Sequence, residues 1–286
     1  MTTILVTGAS GFIGRNLMEH AAGSIGVDLD QLDVCDRDAC FRVINKVRPT
    51  HFIHAAAVTH TDDVDGSTYA VNFNGTANVL DAALAVGTVK RGIILSSGAV
   101  YGPPDGLPCD ESHPLRPAGA YALAKRDAEC LISNPAIPVI AARIGPVYGP
   151  FESVRPSRPR ITFIGQLLEH LKKGSEIKIF GTDMSRDWTH AADIAEALHR
   201  LLFAPVLNHK IYNVSTGISI SARDIIHQFV NLGLNVCYCA NATQAGIILN
   251  EKDSRQPLVI ERLKADTGFT PRYDLRAGIR QLYDSI

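Results

Sequence analysis

The chain has 286 residues, 46% of them hydrophobic, with 28 basic and 29 acidic side chains and a net charge of -1. That length fits one large α/β domain or two small ones, and the apolar share is enough for a packed core. The near-neutral balance leaves no field to recruit nucleic acid or an anionic membrane, and no apolar run approaches the ~20 residues a membrane helix needs.

The N-terminus carries no basic region and runs directly into a strand, so no signal peptide is expected. Residues 3–7 are an apolar, β-rich run, followed by a glycine turn and a helix over 12–20. A short strand is expected near 24–28, then 33–36 and a helix through 47. Residues 51–57 read as a buried strand, 71–86 as a long amphipathic helix, 92–97 as a strand, 121–133 as a helix and 138–145 as a strand. This alternation implies an α/β fold with a Rossmann-type, doubly wound parallel sheet. The rhythm changes after Pro150. Residues 151–160 read as a Pro- and Arg-rich loop, followed by a helix through 173 and a strand at 176–180. A helix at 193–203 and a strand at 211–214 come next, then after 221 a helix, a strand near 236–240 and a polar tail. The predicted organisation is a larger domain over 1–150, to which 187–217 returns, and a smaller mixed α/β domain from 151–186 and 218–286.

Gly8-Ala-Ser-Gly11-Phe-Ile-Gly14 sits between the first strand and the first helix. Glycines there let the backbone turn tightly and approach a pyrophosphate that the helix N-terminus attracts. The spacing is G-x-x-G-x-x-G rather than the general G-x-G-x-x-G. In this position it points to a dinucleotide. An acidic residue about 20 positions on should bond the adenosine ribose. Asp28 fits, and its carboxylate would repel a 2′-phosphate, favouring NAD over NADP. A solvated turn role for Asp28 stays open, and Asp30 is close.

Tyr121 and Lys125 are four apart on a predicted helix and share a face. A free tyrosine is a poor base at neutral pH, but a nearby ammonium and a positive nicotinamide ring would favour the phenolate. Tyr121 could then move the proton of a substrate hydroxyl during hydride transfer. Ser97 ends a strand, where such sheets place their crevice, and could hold the same substrate oxygen. Tyr-x-x-x-Lys alone is an ordinary helix face; behind a dinucleotide loop and with Ser97 it reads as catalytic.

The six cysteines form no C-x-x-C pair and join no histidine at zinc spacing, so no metal site is expected and the thiols read as reduced, in keeping with cytoplasm. Cys237 and Cys239 share one strand face and read as core packing. Asp193 is expected to cap the helix at 193–203 or to anchor a buried network near His190. His60 reads as a solvated loop residue, and Asp62, Asp63 and Asp65 as a solvated turn. Arg155, Arg158 and Arg160 are either substrate contacts or a solvated basic loop.

With these motifs in view, the chain resembles the extended short-chain dehydrogenase/reductases of the NAD-dependent epimerase/dehydratase family, nearly end to end. Thr7-Gly-Ala-Ser-Gly-Phe-Ile-Gly14 resembles the cofactor loop, with Ser10, Phe12 and Ile13 among its contacts. Leu32-Asp33-Val34 resembles the segment whose Asp meets the adenine. His54-Ala55-Ala56-Ala57 and Asn72-Phe-Asn-Gly-Thr76 resemble the strand end and helix beside the cofactor. Ser96-Ser-Gly-Ala-Val-Tyr-Gly102 and Tyr121-Ala-Leu-Ala-Lys125 resemble the catalytic strand and helix. Arg143-Ile-Gly-Pro-Val-Tyr-Gly-Pro150 and Arg186-Asp-Trp-Thr-His-Ala-Ala-Asp193 resemble later signatures. Arg186 and Arg255 resemble the family's diphosphate-contacting arginines.

The resemblance implies bound NAD, a sugar-nucleotide substrate held partly by the smaller domain, and epimerisation through a transient ketone. Family dehydratases carry a Thr-Asp-Glu type triplet where this chain has Ser97-Gly98-Ala99, which speaks against 4,6-dehydration. Departures are a short second strand, Gly145 where many relatives place a phosphate-contacting Asn, and a short C-terminal portion. The alternatives are an NAD(P)-dependent dehydrogenase or reductase of a sugar, sugar acid or other hydroxy-carbonyl compound, and a non-catalytic dinucleotide sensor. The resemblance also implies a homodimer through the helices beginning near Val71 and Tyr121.

Overall fold

Short runs of β-branched and small apolar residues separated by amphipathic helices leave one economical arrangement, a sheet covered on both faces. The computed structural model describes residues 2–59, 66–134 and 136–285; His60, Asp62, Asp63 and Asp65 lie outside them. Its elements begin β1 (Ile4–Thr7), α1 (Phe12–His20), β2 (Ile25–Val27), α2 (Arg37–Val47), β3 (His51–His54) and α3 (Ser67–Tyr69). A π-helical turn (Ala70–Gly75) joins α3 to α4 (Thr76–Ala85). β4 (Arg91–Ser97), α5 (Gly119–Cys130), β5 (Val139–Ile144), β6 (Val147–Tyr148) and α6 (Phe163–Lys173) follow. The rest comprises β7 (Ile177–Gly181), β8 (Ser185–Arg186), β9 (Thr189–His190), α7 (Ala191–Phe203), β10 (Ile211–Val214), β11 (Ile220–Ser221), α8 (Ala222–Asn231), β12 (Val236–Tyr238), β13 (Ile247–Leu249), α9 (Glu261–Thr267) and α10 (Leu275–Asp284).

Six strands form one parallel sheet in the order β10-β5-β4-β3-β1-β2. The order reverses between β1 and β3, and their carboxyl ends open the crevice where such sheets take ligands. β5 is buried along its whole length. Leu17 of α1 and Ile194, Leu198 and Leu201 of α7 cover one face; Ile44 of α2, Val79 and Leu80 of α4 and Ala128 of α5 cover the other. A separate core gathers Ile164 and Leu167 of α6, Ile225 and Phe229 of α8, and Ile279 and Leu282 of α10 on the small β12-β7-β13 sheet. Each of the Val, Leu, Ile and Phe side chains among these contributes about 1.5–3 kcal/mol of burial.

Three expectations are corrected here. The polar tail is in fact β13, α9 and α10. Asp274 caps α10 by accepting from Ala277 N at 2.7 Å, and Ile279 and Leu282 supply its buried face. The helix at 193–203 begins earlier, at Ala191, and His190 caps it; of the two roles open to Asp193 the structure has the buried anchor, which accepts the backbone N–H groups of Arg272 and Tyr273, each at 3.0 Å. Cys237 is exposed rather than core, because the neighbouring Val236, on the opposite face of β12, is the residue that packs against the small core.

A buried ion pair ties α5 to the sheet. Arg143 of β5 donates to Glu129 through Nε (2.9 Å) and Nη2 (2.7 Å). Ser96 Oγ donates to Glu129 Oε1 at 2.5 Å, and Arg143 Nη1 donates to the Tyr101 hydroxyl at 2.9 Å. Tyr101 in turn donates to Asn213 of β10 at 2.7 Å. With every polar atom answered, the charges tolerate burial.

Two buried histidines set an acid limit on stability. Thr76 Oγ1 spends its proton on Asn72 O (2.7 Å), so His54 Nε2 donates to Thr76 and Nδ1 accepts from Thr7. Burial, reinforced by the Lys125 charge, holds His54 at about 3. Burial holds His190 at about 4, against the bond to Gln281. Both folded values lie below the unfolded value, so below pH ~6.5 the unfolded chain binds protons that the folded chain refuses. Unfolding free energy should therefore fall as pH drops from 6.5 toward 4, by up to ~1.4 kcal/mol per pH unit for each histidine. Urea titrations at pH 7 and pH 5 check this; equal stabilities would refute the neutral assignment.

Candidate active site

The site begins where β1 gives way to α1. Gly8 takes a left-handed backbone (φ 69°), and a Cβ there would strike Ala56 N at 2.6 Å, so the loop lies directly on the end of β3. A Cβ at Gly14 would collide with Gly8 O. Gly11 caps α1 without a side-chain acceptor, leaving the first-turn amides with no intrahelical partner. They open on a cavity of about 830 Å³, within the usual range for small-molecule sites. Bare amides, glycines that admit no Cβ and a roomy crevice together fit a dinucleotide pyrophosphate.

Gly11, Phe12, Ile13 and Gly14 line this cavity with Ala55 and Ala57, and so do Ser97, Tyr121 and Lys125. Lys125 is buried, donates from Nζ to Leu95 O at 2.8 Å, and has no salt bridge among the described residues. Burial lowers it to about 8. Its Nζ stands 5.8 Å from the Tyr121 ring centre. Ser97 Oγ accepts from Ala99 N at 3.1 Å, so its own hydroxyl proton points elsewhere, as a donor. Burial pushes the Tyr121 phenol above its usual range, opposed by a hydrogen bond with Ser97 and by the Arg158 charge. Desolvation thus outweighs the Arg158 charge at this phenol, and the lowered value expected from Lys125 and a nicotinamide ring belongs to the cofactor-bound site.

Ser10 and Asp28 line an adjoining shallow cavity with Arg15 and Met18. Asp28 Oδ2 accepts Ser10 N (2.8 Å) and Ser10 Oγ (2.5 Å), and Oδ1 accepts Leu29 N (2.8 Å). Burial raises this carboxyl, but those bonds and the Arg155 charge hold it below the ordinary range. Other expected contacts stand apart from both cavities. Asp33 Oδ1 accepts Cys35 N, and Val34 is core beneath Gly75. Asn72 is fully buried and clamps the loop after β3, accepting Val58 N and donating to Val58 O.

At the far end of the large cavity stand Arg186 and Arg255 with Met184, Trp188, Gln166 and Ile247. Arg186 Nε donates to Asp253 O (2.8 Å) and Arg255 Nη1 to Ser254 O (2.6 Å). Neither forms a salt bridge among the described residues, and burial together with the Arg255 charge lowers Arg186. Two adjacent guanidinium groups, with the Asp253 charge near Arg186 but no salt bridge among the described residues, suit a phosphate-rich ligand. Sequence reading missed Met184, Trp188, Gln166 and Ile247; of these only Trp188 fell within a motif.

Asp187, between Arg186 and Trp188, is fully buried. Its Oδ2 accepts Gly217 N (3.1 Å) and Leu258 N (3.0 Å), and its Oδ1 accepts Thr216 N (3.2 Å) and the Thr216 hydroxyl. Gly145 is pinned against Ser215: a Cβ there would collide with the Ser215 hydroxyl, so Asn does not fit without a shift. Among the described residues no group of three or more His, Cys, Asp or Glu could hold a metal ion, and no helix is long and apolar enough to cross a membrane.

Comparison with known proteins agrees with this geometry. The dTDP-D-glucose 4,6-dehydratase of Bos taurus is 30% identical over 80% of this chain and 72% of its own length. The UDP-glucose 4-epimerase of Mycolicibacterium smegmatis is 29% identical over 77% of this chain and 79% of its own. The Thermus thermophilus UDP-glucose 4-epimerase, solved with NAD, superposes with a TM-score of 0.79 at 24% identity, each chain covered in full, and so shares the fold. The model of the NAD-dependent epimerase/dehydratase family matches residues 4–215, and the chain belongs to that family.

Proposed function

We propose that the chain is an NAD-dependent epimerase of a sugar nucleotide, which oxidises one sugar carbon to a ketone and reduces it again from the other face. The reading is carried by one cavity that joins the glycine-loop amides, the Ser97, Tyr121 and Lys125 side chains, and the unpaired Arg186 and Arg255. A bound nicotinamide supplies reversible hydride acceptance. Tyr121 takes the proton of the sugar hydroxyl and later returns it. Ser97 donates a hydrogen bond to the same oxygen. Lys125 and Arg158 place positive charge near the phenol and favour its ionised form. Arg186 and Arg255 grip the diphosphate, and Asp28 accepts from the adenosine ribose, which favours NAD over NADP. Gly98 and Ala99 offer no acid or base for 4,6-dehydration.

The two-domain division, a homodimer visible by sedimentation, and a cytoplasmic setting belong to the same proposal. Purified protein should carry NAD. Incubated with a panel of nucleotide sugars, it should yield an epimer by NMR with no net NADH. Stoichiometric NADH release without retained nucleotide would instead make it a dehydrogenase.

A further inference from the structure

The Pro- and Arg-rich segment after β6 does not run free over the surface. Asn16 Nδ2 of α1 donates to Pro150 O at 3.1 Å, and Phe151 takes a left-handed backbone (φ 69°) that turns the chain back over the crevice. Arg155 and Arg158 then exchange backbone hydrogen bonds of 2.9 Å in both directions. Buried Glu152 accepts Arg158 Nη2 (2.6 Å) and Thr162 N (2.9 Å), which fixes this turn from within. Ser157 O accepts Thr59 N (2.9 Å) and Thr59 Oγ1 (3.2 Å) beyond the end of β3. The segment therefore spans both walls of the cleft at the switch point of the sheet.

Two of its three arginines reach the glycine loop. Arg158 lies 5.2 Å from the Phe12 ring centre. Arg155 Nη1 donates to Ser10 Oγ at 3.0 Å, and Ser10 Oγ in turn donates to Asp28. Arg155 thus lines the crevice of the glycine loop and bonds Ser10, which lines the neighbouring cavity around Asp28. It forms no salt bridge among the described residues. A guanidinium offers five N–H donors in a planar fork that matches phosphate oxygens. Arg155 was grouped with possible substrate contacts, yet the fold aims it at the cofactor loop.

We propose that Arg155 is a dinucleotide-binding residue, delivered by this segment to a cofactor phosphate beside Ser10 and Asp28. It rests on the dinucleotide reading of the glycine loop and goes beyond it, because Arg155 lies outside both the loop and the sheet strands. The phosphate is either the pyrophosphate over the Gly11–Ile13 amides or the 2′-phosphate of NADP. The shared chemistry is a phosphate on a guanidinium.

The test is calorimetric titration of the nucleotide-stripped full chain with NAD and with NADP, for wild type, Arg155→Ala and Arg155→Gln. Melting of each unliganded variant checks the fold, and Arg155→Gln serves if Arg155→Ala melts early. Loss of one charge-assisted phosphate contact should weaken binding by about 10- to 100-fold, and the dinucleotide co-purifying with the protein should fall. Equal losses for NAD and NADP assign the pyrophosphate, and a loss confined to NADP assigns the 2′-phosphate. Wild-type affinity of both variants for both dinucleotides overturns the proposal. Wild-type protein that binds neither dinucleotide sinks the reading of the site itself, a separate outcome.

Discussion

Tyr121→Phe should lower kcat by about 10²- to 10⁴-fold while dinucleotide affinity stays at the wild-type level. The substitution removes one atom, the oxygen that carries the proton, and keeps the ring that packs above Lys125. Ser97 keeps its bond from Ala99 N and Lys125 keeps Leu95 O, so the cavity should hold its shape. Steady-state kinetics with the identified nucleotide sugar, alongside NAD titration, separates the two effects. A large fall in kcat with intact binding is the outcome for a proton carrier. Unchanged turnover would take Tyr121 out of the chemistry. Absence of turnover in the wild type, with NAD still bound, would revive the sensor reading.

Glu129→Gln should be the most damaging single change to the fold. Glu129 lies one turn beyond Lys125 and accepts from Arg143 twice and from Ser96. Neutralising it leaves Arg143 buried and charged with no counter-charge, which costs about 3–5 kcal/mol. For a chain of this size that corresponds to a fall in Tm on the order of 10 °C. Replacing both partners, Glu129→Leu with Arg143→Met, removes the stranded charge and should recover much of the loss. Thermal melts of the single and double variants decide this. A double variant no more stable than Glu129→Gln would show that the network stabilises through its hydrogen bonds to Ser96 and Tyr101 rather than through charge balance.

What was legible in the sequence was local. Gly8, Gly11 and Gly14 announce themselves because a tight turn and a bare helix start each demand glycine. Tyr121 and Lys125 show through helical spacing alone. The less legible features depend on partners far along the chain. The two-residue strands β6, β8, β9 and β11 exist only as pairings with remote segments. The expected helix at 71–86 begins at Ser67 and passes through a π-helical turn, where Asn72 reaches back to Val58. α10 reads as a tail because its buried face rests on Gly278, Ile279 and Leu282 alone. Arg155 read as a possible substrate contact because its target is set by Thr59 and Asn16, more than 90 positions away. The raised phenol of Tyr121 is hidden for a related reason: it comes from burial, which a sequence does not display.

The four donors that converge on Asp187 bear on the thermodynamics of ligand capture. They join segments 216–217 and 258 to the residue between Arg186 and Trp188, so both side chains leave a backbone that is already immobile. A ligand arriving there need not freeze the main chain, and it forfeits only the remaining rotamer freedom of the arginine. Calorimetry should therefore find a small entropic penalty at this end of the cleft. Binding there draws on rigidity acquired once, during folding, rather than on order imposed anew at each encounter.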